Sequence, residues 1–465
     1  MQESSIYIKK ENNMKVIIIG ASHGGHQSAL ELLDKHPDAD VTIYEKGDFV
    51  SFLSCGMQLF LEDKVSGVDD VRNFKPEDIE KRGGKVKSQH EVLSFDADKK
   101  EVTIKNLVTG DVFNETYDKL ILSSGVTPAA LPVPGADKEN IFFMRGRAWA
   151  LEIKEKMQDP KVKNVAVIGS GYIGVEAAEV FAQAGKKVTI IDMIDDVLGN
   201  YLDKELTDIL APVFEANGVA LALGESITGF SGGDVVTGVE TKTGTIDADL
   251  VIVAAGVTPN TEWLKGLVDL EPRGQIKVDD YLRTSAKDVY AIGDAILPLN
   301  IASQQHAPVA LASTARREAR YVVRNIESDT PTEKFRGVLG TSALSVFGYK
   351  FAMTGLNDFS AARSGVPVTG SFFKDTLRPS FVKNDGNTDV YVKLNYDNET
   401  HKILGGQVMS TYDVTAQINA LALAITTGLT LEDLAEADFF FQPGFDRQWS
   451  LLNLAAQAAL GETKF

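Results

Sequence analysis

Asn164-Val-Ala-Val-Ile-Gly169-Ser-Gly171-Tyr172-Ile-Gly174 reads as a short β-branched strand, a glycine-rich turn and the start of an amphipathic helix running on through Ala184. Each glycine has a physical task. Gly169 permits the tight turn and Gly171 lets the backbone approach a pyrophosphate. Gly174 lets helix and strand pack closely, with the helix N-terminus facing the anion. The next strand, Val188-Thr-Ile-Ile-Asp192, ends on an acid roughly 20 residues beyond the turn, the position of a ribose-binding carboxylate. No Arg follows in Ile191-Asp-Met-Ile-Asp-Asp196, so an adenosine 2′-phosphate would meet negative charge. The unit is expected to take NADH over NADPH.

The same pattern stands about 150 residues earlier, a spacing far too long for a solenoid repeat. Lys15-Val-Ile-Ile-Ile-Gly20-Ala-Ser22-His23-Gly24-Gly25 leads into a helical pattern through Leu33, and Val41-Thr-Ile-Tyr-Glu45 closes on an acid. Ser22 occupies the place of the middle glycine. Two further strand–turn signals echo each other: Leu120-Ile-Leu-Ser-Ser124-Gly125-Val-Thr-Pro128 and Val251-Ile-Val-Ala-Ala-Gly256-Val-Thr-Pro259. A later strand ends in Val289-Tyr-Ala-Ile-Gly293-Asp294, which could present Asp294 to a polyol chain such as the ribitol of a flavin. The plainer reading of Asp294 is a helix N-cap. After about residue 330 the pattern changes. Val390-Tyr-Val-Lys-Leu394 alternates like a half-buried antiparallel strand, and residues 415–427 read as an apolar helix. The expected class is α/β: two Rossmann-like dinucleotide-binding domains followed by an α+β domain. The first nucleotide domain is expected at 14–126 and 257–334, the second at 127–256, and the C-terminal domain at 335–465.

The 465 residues suit two or three domains, and 44% apolar with 24% charged residues is the balance of ordinary globular protein. Lys plus Arg total 47 against 65 Asp plus Glu, a net charge of −18 that repels phosphate backbones, so no nucleic-acid partner is expected. No apolar run approaches the roughly 18 residues a bilayer span needs, so no membrane partner is expected either. Residues 1–13 are polar and lack an apolar core; they are expected to be a frayed extension, not a signal peptide.

The single cysteine, Cys55, excludes an intramolecular disulfide and fits a reducing cytoplasm. It lies in Ser51-Phe-Leu-Ser-Cys55-Gly-Met-Gln-Leu, where the first turns of a helix are expected, and a helix N-terminus favours thiolate. Without a second thiol, redox chemistry there must run through sulfenic acid or a mixed disulfide. The alternative is an inert buried cysteine. His26, His36, His90, His306 and His401 show no ligand spacing and read as structural or solvated, so no metal site is expected.

Taken together, these residues resemble the pyridine-nucleotide-disulfide oxidoreductase superfamily from residue 14 to about 459. The string Glu45-Lys46-Gly-Asp-Phe-Val-Ser-Phe-Leu-Ser-Cys55-Gly-Met-Gln-Leu is similar to the superfamily's single-cysteine branch of NADH peroxidases, water-forming NADH oxidases and coenzyme A disulfide reductases. Ser22-His23-Gly24-Gly25, Arg316 in Ala312-Ser-Thr-Ala-Arg316-Arg, and the tail Phe439-Phe-Phe-Gln-Pro443-Gly-Phe445-Asp-Arg-Gln-Trp449 are most like the peroxidases, with Gly444 and Gln448 as departures. Oxidases usually show His-Ala-Gly in the first of these and tend to carry Val in place of the Arg.

The resemblance implies FAD and NADH as cofactors and a C-terminal dimer interface, hence a homodimer or homotetramer. It implies hydrogen peroxide as substrate, with dioxygen as the alternative. Gly20, Ser22, Gly24, Gly25, Glu45, Lys46, Ser124, Gly125 and Asp294 fall where FAD would be held, and Gly169, Gly171, Gly174, Asp192 and Gly256 where NADH would be. It implies that Tyr172 gates the flavin face and Glu176 orients the nicotinamide. Cys55, His23 and Arg316 become the catalytic set. For each there is a plainer reading: a helix cap for His23, a basic surface helix for Arg316, and a first-turn acid favoured by the helix dipole for Glu176. Coenzyme A disulfide reduction would need a phosphate site, and no distinctive basic cluster supplies one. A flavin redox sensor without turnover is the remaining alternative.

Overall fold

The computed structural model describes residues 13–382 and 387–462. Apart from Asn13, the extension expected at 1–13 lies outside them.

The β-branched runs form two parallel five-stranded sheets. In the first, the order is Val289–Ala291, Lys119–Leu122, Lys15–Ile19, Asp40–Tyr44 and Lys85–Lys87. In the second it is Val219–Ala222, Lys187–Ile191, Asn164–Ile168, Leu250–Val253 and Ile141–Phe143. Each glycine-bearing strand is central and covered on both faces, as runs such as Val16-Ile-Ile and Val165-Ala-Val demand. Burying each such side chain is worth about 1.5–3 kcal/mol. The helices His23–Lys35 and Tyr172–Gln183 follow directly from the two turns. The strand Val289–Ala291 returns from beyond the second unit to join the first sheet, so the chain leaves that sheet and re-enters it.

The two echoing Gly-Val-Thr-Pro segments meet each other. Val126–Pro128 pairs antiparallel with Val257–Pro259, and flanking bonds run from Ala129 N–H to the Gly256 carbonyl and from Asn260 N–H to the Gly125 carbonyl, each 3.0 Å. Each unit thus contributes one strand to a two-stranded link between them.

The C-terminal part is an antiparallel sheet ordered Ser342–Val346, Tyr349–Gly355, Ile403–Ser410, Asp389–Tyr396 and Thr369–Thr376. A short 3₁₀ turn at Thr415–Gln417 leads into the helix Ile418–Thr427. Here the half-buried expectation for residues 390–394 is corrected. The strand Asp389–Tyr396 is buried on both faces, and Lys393 is tolerated inside because its ammonium meets Glu205 at 2.6 Å. No helix among the described residues is long and apolar enough to cross a membrane.

Candidate active site

One cavity of about 1010 Å³ runs beside the first glycine turn. Of the residues singled out from sequence, its wall holds Gly20, Ser22, His23, Gly24, Glu45, Lys46, Cys55, Ser124, Gly125, Tyr172, Glu176 and Asp294. Gly25, Gly169, Gly171, Gly174, Asp192, Gly256 and Arg316 do not line it.

Backbone demands explain most of the glycines. Gly20 has φ +99°, and a Cβ there would stand 2.2 Å from the Ser123 carbonyl oxygen. Gly169 repeats this at φ +102° and 2.4 Å from the Ala254 oxygen. Gly25 and Gly174 pack so closely under the turn that a Cβ would lie 1.9 Å from the Gly20 and Gly169 oxygens respectively. Gly171 differs: its Cβ would meet only the Tyr201 ring, at 3.4 Å. Packing alone does not require glycine at 171.

The strand-end acids serve their own turns in the same way. Glu45 accepts from Ala21 N–H and Gly47 N–H, each at 2.8 Å. Asp192 accepts from Ser170 N–H at 2.6 Å and the Ser170 hydroxyl at 2.7 Å. Carboxylate oxygens have lone pairs beyond these, so both acids can still accept from ribose hydroxyls. Lys46 points outward and pairs with Glu91 at 2.7 Å. Asp294 sits in the short turn Gly293–Ala295 and caps no helix, which removes the N-cap reading. Burial raises its carboxyl, with Arg145 opposing at 3.7 Å. A cavity whose lining includes a glycine turn, the N-terminus of its helix, Glu45 and Asp294 fits a flavin dinucleotide.

Cys55 lies in the short 3₁₀ turn Ser54–Gly56, ahead of the five-residue helix Met57–Leu61. Its thiol is exposed to the cavity, so it is not the inert buried cysteine. The helix-stabilised thiolate is corrected: partial desolvation by the cavity walls raises the thiol pKa. A hydrogen bond from the Cys55 backbone and the Arg316 charge oppose the rise, and Glu176 adds to it only once ionised.

His23 is the first residue of its helix and makes no cap. Burial, then the charge of Arg316, lowers its pKa to about 4, so at neutral pH it is uncharged and is not a cationic neighbour to the thiol. Asn73 Nδ2 lies 3.3 Å from His23 Nδ1, an assignment that leaves the ring proton on Nε2. Arg316 is partly buried, its guanidinium 5.3 Å above the Phe74 ring and its Nε without a partner. That setting is not a solvated basic surface. Only the plainer reading of Glu176 as a first-turn acid is corrected: it lies beyond the first turn of Tyr172–Gln183, and burial followed by the charges of Glu179 and Glu62 pushes its carboxyl up to about 8. Tyr172 stacks on Tyr201 at 3.9 Å, and its hydroxyl is 2.7 Å from the Ser342 hydroxyl of the C-terminal sheet.

Sequence reasoning missed Arg145, His90 and Trp263 in the cavity wall, and Glu318 behind it. Glu318 is fully buried, accepts from Gly293 N–H at 2.6 Å, and is pushed to about 8, first by burial. No spacing signal marks these residues, because each comes from a segment remote in sequence from the two turns. Among the described residues, no group of three ligand-type side chains is placed to hold a metal ion.

Known proteins resemble this chain over most of its length. Residues 14–319 match the family described as pyridine nucleotide-disulphide oxidoreductase, and residues 341–451 match its dimerisation domain. An NADH oxidase of Enterococcus faecalis is 42% identical over 449 residues, covering 96% of this chain and 99% of its own. The structure of a water-forming NADH oxidase from Lactobacillus brevis bound to NADH superposes with TM-score 0.92 at 36% identity, covering 97% and 99%. The crystal structure of reduced CoADR-RHD from Bacillus anthracis gives TM-score 0.92 at 28% identity, covering 97% of this chain and 80% of that one.

Proposed function

The chain belongs to the pyridine nucleotide-disulphide oxidoreductase family, an FAD-dependent family, and from that premise we propose that it uses NADH to reduce hydrogen peroxide to water at Cys55. Bound FAD supplies hydride acceptance and two-electron delivery, chemistry no side chain has. The Gly20 turn, Glu45 and Asp294 would hold it. The Gly169 turn and Asp192 bind NADH, and Tyr172 must leave its stack with Tyr201 for the nicotinamide to enter. The Cys55 thiolate then attacks peroxide: the S–O bond forms, the O–O bond breaks, and hydroxide departs. His23 offers an Nε2 proton as hydrogen-bond donor, and Arg316 offers charge to the departing oxygen. NADH-derived electrons return the sulfenic acid to thiolate with loss of water.

The observation that carries this reading is a lone exposed thiol and His23 on the wall of one cavity, with the Arg316 charge bearing on both from outside that wall. The names of the relatives favour a second reading for the entering oxidant, dioxygen, in which Cys55 consumes the peroxide formed within the site. We also assign the exposed aromatic face of the C-terminal part to a second copy of the chain, in keeping with the dimerisation-domain match. NADH oxidation by the FAD-loaded protein, followed anaerobically with hydrogen peroxide and then in air without it, separates the readings. One NADH per peroxide with slow consumption in air is the expected result. Fast consumption in air at two NADH per dioxygen, with no released peroxide, replaces peroxidase by oxidase.

A further inference from the structure

Tyr172 has both its ring and its hydroxyl engaged. The ring stacks on Tyr201 at 3.9 Å, and the hydroxyl is 2.7 Å from the Ser342 hydroxyl. Ser342 opens the edge strand Ser342–Val346 of the C-terminal sheet and lines the same cavity as Tyr172. Tyr201 is held from that sheet as well. Two residues beyond it, Asp203 occupies the N-cap of the helix Lys204–Ala216, yet its side chain caps nothing there. The carboxylate turns instead to the C-terminal part and accepts from Gln407 Nε2 and from Asp358 N–H, each at 2.7 Å. The Asp203 N–H in turn donates to Gln407 Oε1 at 2.7 Å, and both side chains are buried. On the other side of Tyr201, Leu198 N–H donates to the Ser170 carbonyl of the glycine turn at 3.0 Å. The segment carrying Tyr201 is thus fixed at both ends, with its ring over Gly171.

We propose that Ser342 and Gln407 are positioning residues by which the C-terminal sheet holds Tyr172 against Tyr201, and that this hold sets NADH affinity. The proposal rests on the reading above that NADH binds at the Gly169 turn and that its nicotinamide displaces Tyr172. A ligand that needs the displaced state binds more weakly in proportion to how rarely that state is populated. Ser342 favours the stacked state directly, through the Tyr172 hydroxyl. Gln407 favours it through Asp203, by fixing the segment on which the Tyr201 ring stands. Each contact therefore weakens binding of a ligand that carries a nicotinamide, and leaves a ligand without one unaffected. Loss of a merely structural contact would act the other way, weakening both ligands together.

The test titrates the FAD-loaded, oxidised protein with a tetrahydro analogue of NADH, which cannot give up hydride, and with ADP-ribose, which lacks the nicotinamide. Ser342→Ala removes one hydrogen bond from the stacked state. It is expected to bind the analogue about threefold to tenfold more tightly, with ADP-ribose unchanged. Tyr172→Phe loses the same bond, so Ser342→Ala adds no further gain on that background. Asp203→Asn sets amide against amide, and Gln407→Glu sets carboxylate against carboxylate. Each breaks the pairing and is expected to tighten the analogue in the same way. Combined, the two substitutions exchange donor and acceptor and restore all three hydrogen bonds, so the double variant returns to the parent affinity. Analogue binding that is unchanged or weaker in Ser342→Ala overturns the proposal while leaving the NADH reading intact. A double variant that binds like its two halves overturns the role of Gln407. A parent protein that binds neither ligand overturns the reading of the Gly169 turn as the NADH site, and the proposal with it.

Discussion

His23 and Arg316 divide two tasks that one protonated histidine would combine. His23 is neutral because burial and the nearby guanidinium both disfavour its cation, so it can donate from Nε2 but carries no charge. Arg316 carries the charge, and its buried Nε has no hydrogen-bond partner among the described residues. Replacing Arg316 by Met is expected to slow Cys55 oxidation by about 10²-fold, the cost of losing one preorganised electrostatic donor. Flavin reduction by NADH should be unchanged, which stopped-flow absorbance checks. Cys55 was legible at this scale because a chain with one cysteine directs attention to it. Its environment was not. The desolvation that raises the thiol and neutralises His23 comes from walls built by distant segments, including Arg145 and Leu344. Glu179, a further buried acid on the Tyr172–Gln183 helix, carried no sequence signal, since a polar residue on a helix reads as solvent-facing until the Phe347 N–H is found donating to it at 2.7 Å.

At the scale of elements, the strand–turn–helix units were legible almost entirely. The turn glycines answer to backbone clashes that no side chain escapes, and each turn is pinned by its own strand-end acid. The two fingerprint glycines at 171 and 174 nevertheless differ in kind. Gly174→Ala places a methyl 1.9 Å from a backbone oxygen and is expected to cost several kcal/mol or prevent folding. Gly171→Ala meets only a ring edge at 3.4 Å, so its melting temperature should stay close to the parent while KM for NADH rises at least tenfold. Thermal melts and NADH titrations check both. What periodicity misread was residues 390–394. Alternation suggests one wet face, yet Lys393 is buried because Glu205 arrives from the second nucleotide unit to pair with it.

Across the whole molecule, two nucleotide units are tied by the short pair Val126–Pro128 and Val257–Pro259, and the Tyr172–Ser342 bond ties the second unit to the C-terminal sheet. The echo of the Gly-Val-Thr-Pro segments was visible in sequence; that they pair with each other was not, because pairing depends on how the units are set together. The C-terminal part exposes Leu423, Phe440 and Phe445, each about two-thirds accessible, and Phe441 and Trp449, each a little under half. Large apolar side chains so exposed mark an interaction surface. Sedimentation is expected to give a dimer or a pair of dimers, and replacing Phe440 and Phe445 by Ser should shift it toward monomer. The central claim is that the Cys55 sulfur is where the oxygen–oxygen bond is broken. The most direct measurement is anaerobic NADH oxidation with hydrogen peroxide by FAD-loaded Cys55→Ser. The account predicts loss of peroxide turnover by about 10³-fold or more with flavin reduction by NADH intact. Turnover at the parent rate would contradict it.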